Sequence, residues 1–489
     1  MKNALSGLLD IELTAGNGVP LSRQLCDQLR DAILSGRLPT GYQLPSSRAI
    51  ADYFHIARNT VSSAIDQLTM EGFIDVAQGR KPVITDLPER ALSADRKMNA
   101  ANAPDRTARS KWALRISDSD WPFAGEPRAV PFMPGLADPR EFPHDLWARC
   151  LRSAARRVKM TPALGTVNRQ GLQVALLQHL EQFRGVRAAP SQVIVTPSAQ
   201  AALELISRLT LNVGDLAWVE NPGYGGARAA IESVGARIEG VNVDASGLNF
   251  EGRTDLPQAI FVTPSHQYPT GVLMPVARRQ ALLRLASSVG AVIVEDDYDS
   301  EFHYDGRPVA ALQSLDVMGN NVFYVGTFSK ATYADIRVGY AVVPAWLART
   351  FEQAQRHTGQ IVSATVQDGL AEFINDGHFV SHIRKMTRIY RSRRDHLVTS
   401  LRSELGDILD VDSPAGGMQM LIRFNEYVDD NALSARLGAA GVIGRALSRH
   451  CIDRDLRGLF IGFAAWNVQE LDGGVQVLTR ELRANLALR

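Results

Sequence analysis

The sequence predicts a multidomain protein: an N-terminal winged helix-turn-helix of α+β class, then a larger α/β domain that ends in a smaller α+β subdomain. Three observations predict it. Near the N-terminus, three short amphipathic stretches run into a β-prone hairpin. Beyond about residue 129, apolar β-like runs alternate with helical stretches, which marks a largely parallel sheet covered by helices. Between the two lies a segment of alanine, charge and scattered proline without apolar periodicity, which reads as a linker. The expected divisions are therefore 15–86 for the winged helix, 87–128 for the linker and 129–489 for the large domain, with its smaller unit from about 380.

The N-terminal elements follow from side-chain spacing. Leu21, Leu25, Leu29 and Ile33 form the four-residue stripe of an amphipathic helix, and Gly36 stops it. Ser46 is placed to cap a second helix whose apolar side is Ile50, Ala51 and Phe54. A third, from about Arg58, buries Val61, Ile65 and Leu68 and leaves Arg58, Asn59, Ser62 and Ser63 on its other face. After a turn at Gly72, FIDVAQGRKPVIT supplies two β-prone runs around residues 78–81. In the large domain the strand candidates are QVIVTP, LAWVEN, QAIFVTP, AVIVEDD, VFYVGTF and VGYAVVP, and 199–211 and 276–288 read as helices.

Bulk properties narrow the function classes. A chain of 489 residues with 45% hydrophobic and 21% charged residues is ordinary globular protein of two to four domains. Cys26, Cys150 and Cys451 are too dispersed for a disulfide framework or a zinc site, and no metal is expected. They fit a reducing cytoplasm. Asp10 and Glu12 interrupt any secretory pattern at the N-terminus, and no apolar run nears the roughly 18 residues of a membrane span. Net charge is +1, and residues 1–85 hold eight Lys/Arg against eight Asp/Glu, so DNA binding must rest on where the cations sit.

That placement is favourable. Arg58, Asn59 and Thr60 start the third helix, where donors reach base edges in a major groove. Arg48 opens the second helix within reach of phosphate or guanine, and Gly79 and Arg80 at the wing tip suit a close approach to backbone or minor groove. Any amphipathic three-helix unit has a polar face, so these residues alone prove little. The string GRLPTGYQLPSSRAIADYFHIARNTVSSAIDQLTMEGFI, with its LPSSR, ARNTV and EGF, resembles the GntR-family winged helix over about 65 residues. That resemblance implies that Arg48, Arg58, Asn59, Thr60, Gly79 and Arg80 contact double-stranded DNA.

The large domain holds a second constellation. Lys330 closes GTFSK after a β run; a lysine is usually exposed, and one that gives up its proton in a buried, cationic setting can hold an aldehyde. Asp296 and Tyr298, in VEDDYDSEF, stand at a strand's carboxyl end, where ligands of open α/β sheets bind. They suit the nitrogen and the 3-oxygen of a pyridine ring, whereas Asp297, Asp299 and Glu301 read as ordinary acids at a strand end. Ser198, Ala199 and Gln200 open a helix after TP, and Thr327, Ser329 and Arg337 flank Lys330, a set fit for phosphate. Tyr224 in ENPGYGG is placed to stack on a ring.

From Thr196 to Gly339 the order TPSAQ, NPGY, TPSHQYPTG, EDDY, TFSK and Arg337 resembles fold-type I aminotransferases, and specifically the sensor domain of MocR/GabR regulators. The resemblance implies pyridoxal 5'-phosphate as cofactor and Lys330 as its Schiff-base residue. It implies a homodimer in which each winged helix packs on the partner's large domain. It also implies a transcription regulator that senses an amine or amino-acid-like effector by aldimine exchange at Lys330. Two alternatives stand beside it: a working aminotransferase with an accessory winged helix, and a DNA binder whose large domain is only a dimerisation scaffold.

Two positions depart from the aminotransferase pattern. Tyr268 replaces the asparagine that precedes PTG, which leaves the 3-oxygen to Tyr298 with His266 or Gln267. Phe460, in LFIGFA, stands where the family's carboxylate-binding arginine belongs, so an acidic group on the effector would fall to Arg457, Arg445 or Arg228.

Overall fold

The computed structural model describes residues 11–16, 18–77, 80–86, 109–119, 129–157, 167–306 and 309–487, and the chain divides into two compact units, 1–108 and 109–489. In the first, α1 (Leu21–Leu34), α2 (Ser47–Phe54) and α3 (Arg58–Met70) precede a hairpin of β1 (Ile74–Asp75) and β2 (Val83–Ile84). Leu25, Leu29, Ile33, Ile50, Val61, Ile65 and Leu68 make its core, as their spacing predicts. The Ser46 Oγ accepts from the Ala49 amide at 3.2 Å and so caps α2. The hairpin pairs antiparallel, Ile74 with Ile84 and Asp75 with Val83.

The second unit runs α4 (Lys111–Asp118), α5 (His144–Arg157), α6 (Gln170–Arg184), β3 (Val193–Thr196), α7 (Ala199–Thr210), β4 (Leu216–Asn221) and α8 (Gly225–Val234). It continues with β5 (Arg237–Asp244), β6 (Gly247–Leu248), β7 (Ala259–Val262), α9 (Val276–Val289), β8 (Val292–Asp297), β9 (Val322–Thr327), α10 (Phe328–Ala331) and β10 (Gly339–Val342). Then come α11 (Ala345–Thr358), α12 (Ala364–Asn375), α13 (His378–Leu405), β11 (Leu409–Val411), β12 (Gln419–Phe424), α14 (Asp430–Ala439), β13 (Arg445–Ala446), β14 (Leu459–Gly462) and α15 (Val468–Ala487).

Eight strands form the main sheet in the order β3, β10, β9, β8, β7, β4, β5, β6. Strands β9, β8, β7, β4 and β5 are parallel, while β10 runs antiparallel between β3 and β9. Both faces are buried because successive side chains alternate between apolar layers. Val195, Tyr324 and Tyr340 share one apolar layer with residues of α6 and α12, and their neighbours Ile194, Phe323 and Ala341 share another with residues of α7 and α11. A smaller antiparallel sheet, ordered β11, β12, β14, β13, packs into a core that includes α13 and α15. No helix among the described residues is long and apolar enough to cross a membrane.

One element was not expected. The stretch 87–128 reads as a linker, yet α4 lies inside it, capped by the Ser110 hydroxyl and anchored to α8. Arg115 donates from Nε and Nη2 to the Ser233 carbonyl at 3.0 and 2.8 Å, and Arg208 stacks over the Trp112 ring at 5.8 Å. Alanine-rich flanks hide an eight-residue helix from periodicity, which needs a longer window to register.

Behind the carboxyl end of β8 lies a buried ion pair. Arg184, at the end of α6, donates from Nε to Asp297 at 2.9 Å and from Nη2 to Ser265 Oγ at 2.6 Å, and it also binds the Val309 carbonyl. The Tyr324 hydroxyl donates to the same carboxylate at 2.6 Å. Removing the cation would strand a buried charge, so Arg184→Leu is expected to lower stability by about 3–5 kcal/mol, measured by chemical denaturation of the large unit's transition.

Candidate functional site

The site opens at the carboxyl edge of the main sheet, around a cavity of about 690 Å³. Strand periodicity builds its floor. Asp296 and Tyr298 are two residues apart and line the cavity, whereas Glu295 and Asp297 turn to the opposite face, where Leu312, Gln313 and Arg184 satisfy them. Lys330 follows β9 on α10, with Thr327 capping that turn by accepting from the Ser329 amide at 3.1 Å, and its Nζ donates to the Gly135 carbonyl.

The phosphate-type cradle forms at the start of α7. Ser198 accepts from the Ala201 amide at 3.1 Å, and the Gln200 side chain donates to the Gly226 carbonyl at 2.9 Å. This helix start crosses β10 so closely that a Cβ on Gly339 would lie 2.4 Å from the Ser198 carbonyl carbon. Arg337 reaches the same cavity from a left-handed backbone conformation, φ 51°.

Electrostatics set the chemistry. Burial, reinforced by the charges of Asp297 and Glu220, pushes the Asp296 carboxyl up to about 7, and its Oδ1 is buried without a hydrogen-bond partner. A protonated ring nitrogen would supply both the missing donor and the missing positive charge. Desolvation and the nearby Arg445 guanidinium lower Lys330 to about 8, against the pull of Asp299 and Asp296. Tyr224 and Tyr268 stand edge to face, ring centroids 5.4 Å apart, and Tyr268 meets Tyr298 in the same way at 5.8 Å. The residues present therefore fit a phosphorylated pyridine aldehyde: an acid for the nitrogen, a phenol, a helix start with an arginine for phosphate, and an amine of lowered pKa.

Most of the residues singled out in sequence converge here: Lys330, Asp296, Tyr298, Tyr224, Ser198, Ala199, Gln200, Thr327, Ser329, Arg337 and Arg445 all line the cavity. His266 does not. It lies behind Tyr298, its Nδ1 3.1 Å from Asp299 and 3.2 Å from the Tyr298 hydroxyl, so it orients the phenol rather than touching the cavity. Burial opposes its charge, but Asp299 prevails and holds the imidazole above its usual pKa. Asp297 and Asp299, read as strand-end acids, are buried and partnered.

Arg457 is also elsewhere: it pairs with Asp455 at 2.6 Å and lies over Tyr427. Arg228 donates to the Arg449 carbonyl at 3.2 Å and does not line the cavity. Residues that sequence reasoning passed over are Gly135, whose carbonyl accepts from Lys330, Gln419 of β12, which lines the cavity, and Ile116 and Ser119, contributed by α4 and the residue after it. The loop FMPGLADP offered a glycine as signal for the first, and nothing in the sequence marked the others.

In the N-terminal unit, Arg48, Arg58, Asn59 and Arg80 are exposed and Thr60 is half-buried, while Gly79 lies outside the described residues. Arg30 draws Asp27 and Glu71 into ion pairs of 2.6 and 2.8 Å, which takes two acids out of the unit's charge balance.

The bacterial regulatory protein gntR family matches residues 21–83, and the class I and II aminotransferase family matches 141–477. The probable rhizopine catabolism regulatory protein MocR of Rhizobium meliloti is 36% identical over 94% of this chain and 93% of its own. The HTH-type transcriptional regulator TauR of Rhodobacter capsulatus is 32% identical over 88% of this chain and 90% of its own. Among solved structures, LysN, an alpha-aminoadipate aminotransferase of Thermus thermophilus complexed with N-(5'-phosphopyridoxyl)-L-leucine, superposes with a TM-score of 0.70 at 25% identity. That match covers 78% of this chain and 99% of LysN.

The lowered pKa of Lys330 has a direct readout. The uncharged amine is the nucleophile and appears above its pKa, so Lys330 labelling by an aldehyde probe with reductive trapping is expected to be half-maximal near pH 8. Ordinary surface lysines should follow only near pH 10.4. Peptide mass mapping across pH 6–11 separates the two.

Proposed function

The chain belongs to the MocR-type transcription regulators, in which a GntR winged helix is joined to a pyridoxal-phosphate-binding aminotransferase domain, and on that premise we propose that it reports an amine effector to DNA through Lys330. The observation behind this is the meeting, in one cavity, of an amine of lowered pKa, a buried carboxyl with an unpartnered oxygen and a helix start flanked by arginine. When bound, pyridoxal 5'-phosphate supplies an aldehyde carbon that a primary amine can hold covalently and a ring that withdraws electron density.

The chain's own residues then divide the work. Lys330 would hold the cofactor, and Asp296 would keep a proton on its ring nitrogen. Tyr298, oriented by His266, would donate to the 3-oxygen, and Tyr224 would stack on the ring. Ser198, Ala199, Gln200, Thr327, Ser329 and Arg337 would take the phosphate. An effector amine would compete with Lys330 for that aldehyde carbon, and the free Lys330 amine has the Gly135 carbonyl as acceptor. The effector must favour one arrangement of the protein over another for DNA binding to respond. Arg48, Arg58, Asn59, Thr60, Gly79 and Arg80 face the operator, with 15–86 as the DNA-binding domain and 129–489 as the sensor. The resemblance supports a homodimer in which each winged helix is exchanged onto the partner's sensor, and a cytoplasmic setting.

Borohydride treatment followed by peptide mapping is expected to find the reduced cofactor adduct on Lys330; label elsewhere, or none, overturns the assignment. A DNA footprint should change on adding an amine that also shifts the cofactor spectrum, and a footprint indifferent to every such amine would refute the sensing role. Arg58→Ala is expected to weaken operator binding by about 1–3 kcal/mol in a gel-shift titration at fixed salt.

A further inference from the structure

Strand β12 carries a buried glutamine whose two ends are not equally used. Gln419 is 2% exposed, pairs directly with Gly462 of β14 and lines the cavity that holds Lys330. Two glycines fix it there. Directly paired residues of an antiparallel ladder share a face of the sheet. With no side chain at 462, the loop before α5 lies against the strand: a Cβ there would stand 2.4 Å from the Met133 carbonyl oxygen, and the Gly462 amide donates to the Phe132 carbonyl at 2.7 Å. That loop carries Gly135 to Lys330. Gly417, two residues before Gln419, packs so closely on the pair of His266 and Asp299 that a Cβ would fall 2.1 Å from the imidazole Cε1. The start of β12 is thus held between the group that orients Tyr298 and the loop that meets Lys330.

Tyr298 decides which way the Gln419 amide points. Its hydroxyl hydrogen-bonds the Gln419 side chain. In the reading above that hydroxyl donates to the cofactor's 3-oxygen, so it accepts from Gln419, and of the two ends of an amide only the nitrogen donates. The carbonyl oxygen is left over: Gln419 Oε1 is buried without a hydrogen-bond partner among the described residues. It looks toward the reacting amine. A Cβ on Gly135 would lie 2.9 Å from Lys330 Nζ and 3.7 Å from Gln419 Oε1, so both atoms border the space that the missing side chain leaves open.

Other buried acceptors of the cavity that lack a partner have a use for the cofactor. Asp296 Oδ1 answers the ring nitrogen, and Gln200 Oε1 lies at the phosphate end, on the first turn of α7. Gln419 Oε1 has no such claimant. An acceptor shut away from water costs free energy until a donor reaches it, and a site holding one selects ligands that bring the donor. The positive field of Arg445, felt at Lys330, disfavours a second ammonium there and leaves a hydroxyl as the fitting donor.

We propose that Gln419 is a specificity-determining residue for the effector, and that the effector is an amine with a hydroxyl on a neighbouring carbon, whose O–H donates to Gln419 Oε1 while its amine takes the place of the Lys330 nitrogen. This rests on the regulator reading above and deepens it by naming the ligand class. Two consequences separate it from a general amine sensor: affinity must depend on the hydroxyl proton, and that dependence must reside at residue 419.

The test is a spectral titration of the cofactor-loaded full-length protein with ethanolamine, 2-methoxyethylamine and propylamine. The methyl ether keeps the oxygen and its electron withdrawal but has no proton to give, and propylamine puts a methyl group where the hydroxyl was. The readout is the ratio of apparent affinities, alcohol over each comparator. In the wild type ethanolamine should bind about fivefold or more tighter than both, the scale of one buried acceptor left unmade. Gln419→Met, similar in shape but without the amide, should bring both ratios to one or below. Gln419→Glu, which keeps an acceptor oxygen, should retain the preference.

A wild type that does not distinguish the alcohol overturns the proposal, as does a Gln419→Met protein that keeps the preference or loses all three amines alike. Should Gln419→Met fail to fold, the glutamate variant decides: Gln419→Glu binding the alcohol no better than the ether overturns the idea. If purified protein shows no cofactor band and no Lys330 adduct, the regulator reading itself fails; a normal band that all three amines shift with equal affinity removes only the role of Gln419.

Discussion

The buried pair of Arg184 and Asp297 governs the geometry of everything in front of it. A single guanidinium ties the end of α6 to the end of β8, to Ser265 in the loop after β7 and to the Val309 carbonyl, with Tyr324 completing the carboxylate's partners. Side chains along a strand alternate, so fixing Asp297 on the rear face compels Asp296 and Tyr298 onto the front. The loop after β7, tied in this way at Ser265, leads directly to His266, which sets the Tyr298 hydroxyl. Asp296 and Tyr298 thus stand on a rigid back wall, where sub-ångström looseness would misplace both.

The cavity also shows how a strongly acidic strand end is kept habitable. Glu220 and Asp296 are both driven by burial toward pKa values of about 7, so their charges are easily surrendered, while Asp297 and Asp299 keep cationic or imidazole partners. The same logic of local compensation applies in the winged helix. Its net charge is zero by count, but Arg30 absorbs two acids on the side of α1 and α3, and the exposed arginines at 48, 58 and 80 are left on the surface.

Much of this was legible in the residues. A four-residue stripe marked α1, apolar sides marked α2 and α3, Ser46 announced its helix, and each apolar β-like run became a strand of the main sheet. Spacing of two placed Asp296 with Tyr298 on one face. Legibility failed where the answer depends on contacts distant in sequence. Nothing local says that His266 sits behind a tyrosine 32 residues away, or that Arg445 lies opposite Phe460 while Arg457, closer in sequence, points to Asp455. Gln419 gave no signal because a glutamine in a late strand resembles any other polar residue until the sheet register is known. Helix α4 was missed because its anchors, Ser233 and Arg208, lie about a hundred residues on.

That helix has a practical corollary. Ile116 and Ser119 belong by position to the tether leading out of the winged helix, yet they form part of the wall of the cavity that holds Lys330. A hybrid regulator spliced near residue 129, where composition places the start of the large domain, would carry a foreign panel into that wall. The natural suture lies ahead of Arg109, so that the short helix travels with the chamber it lines.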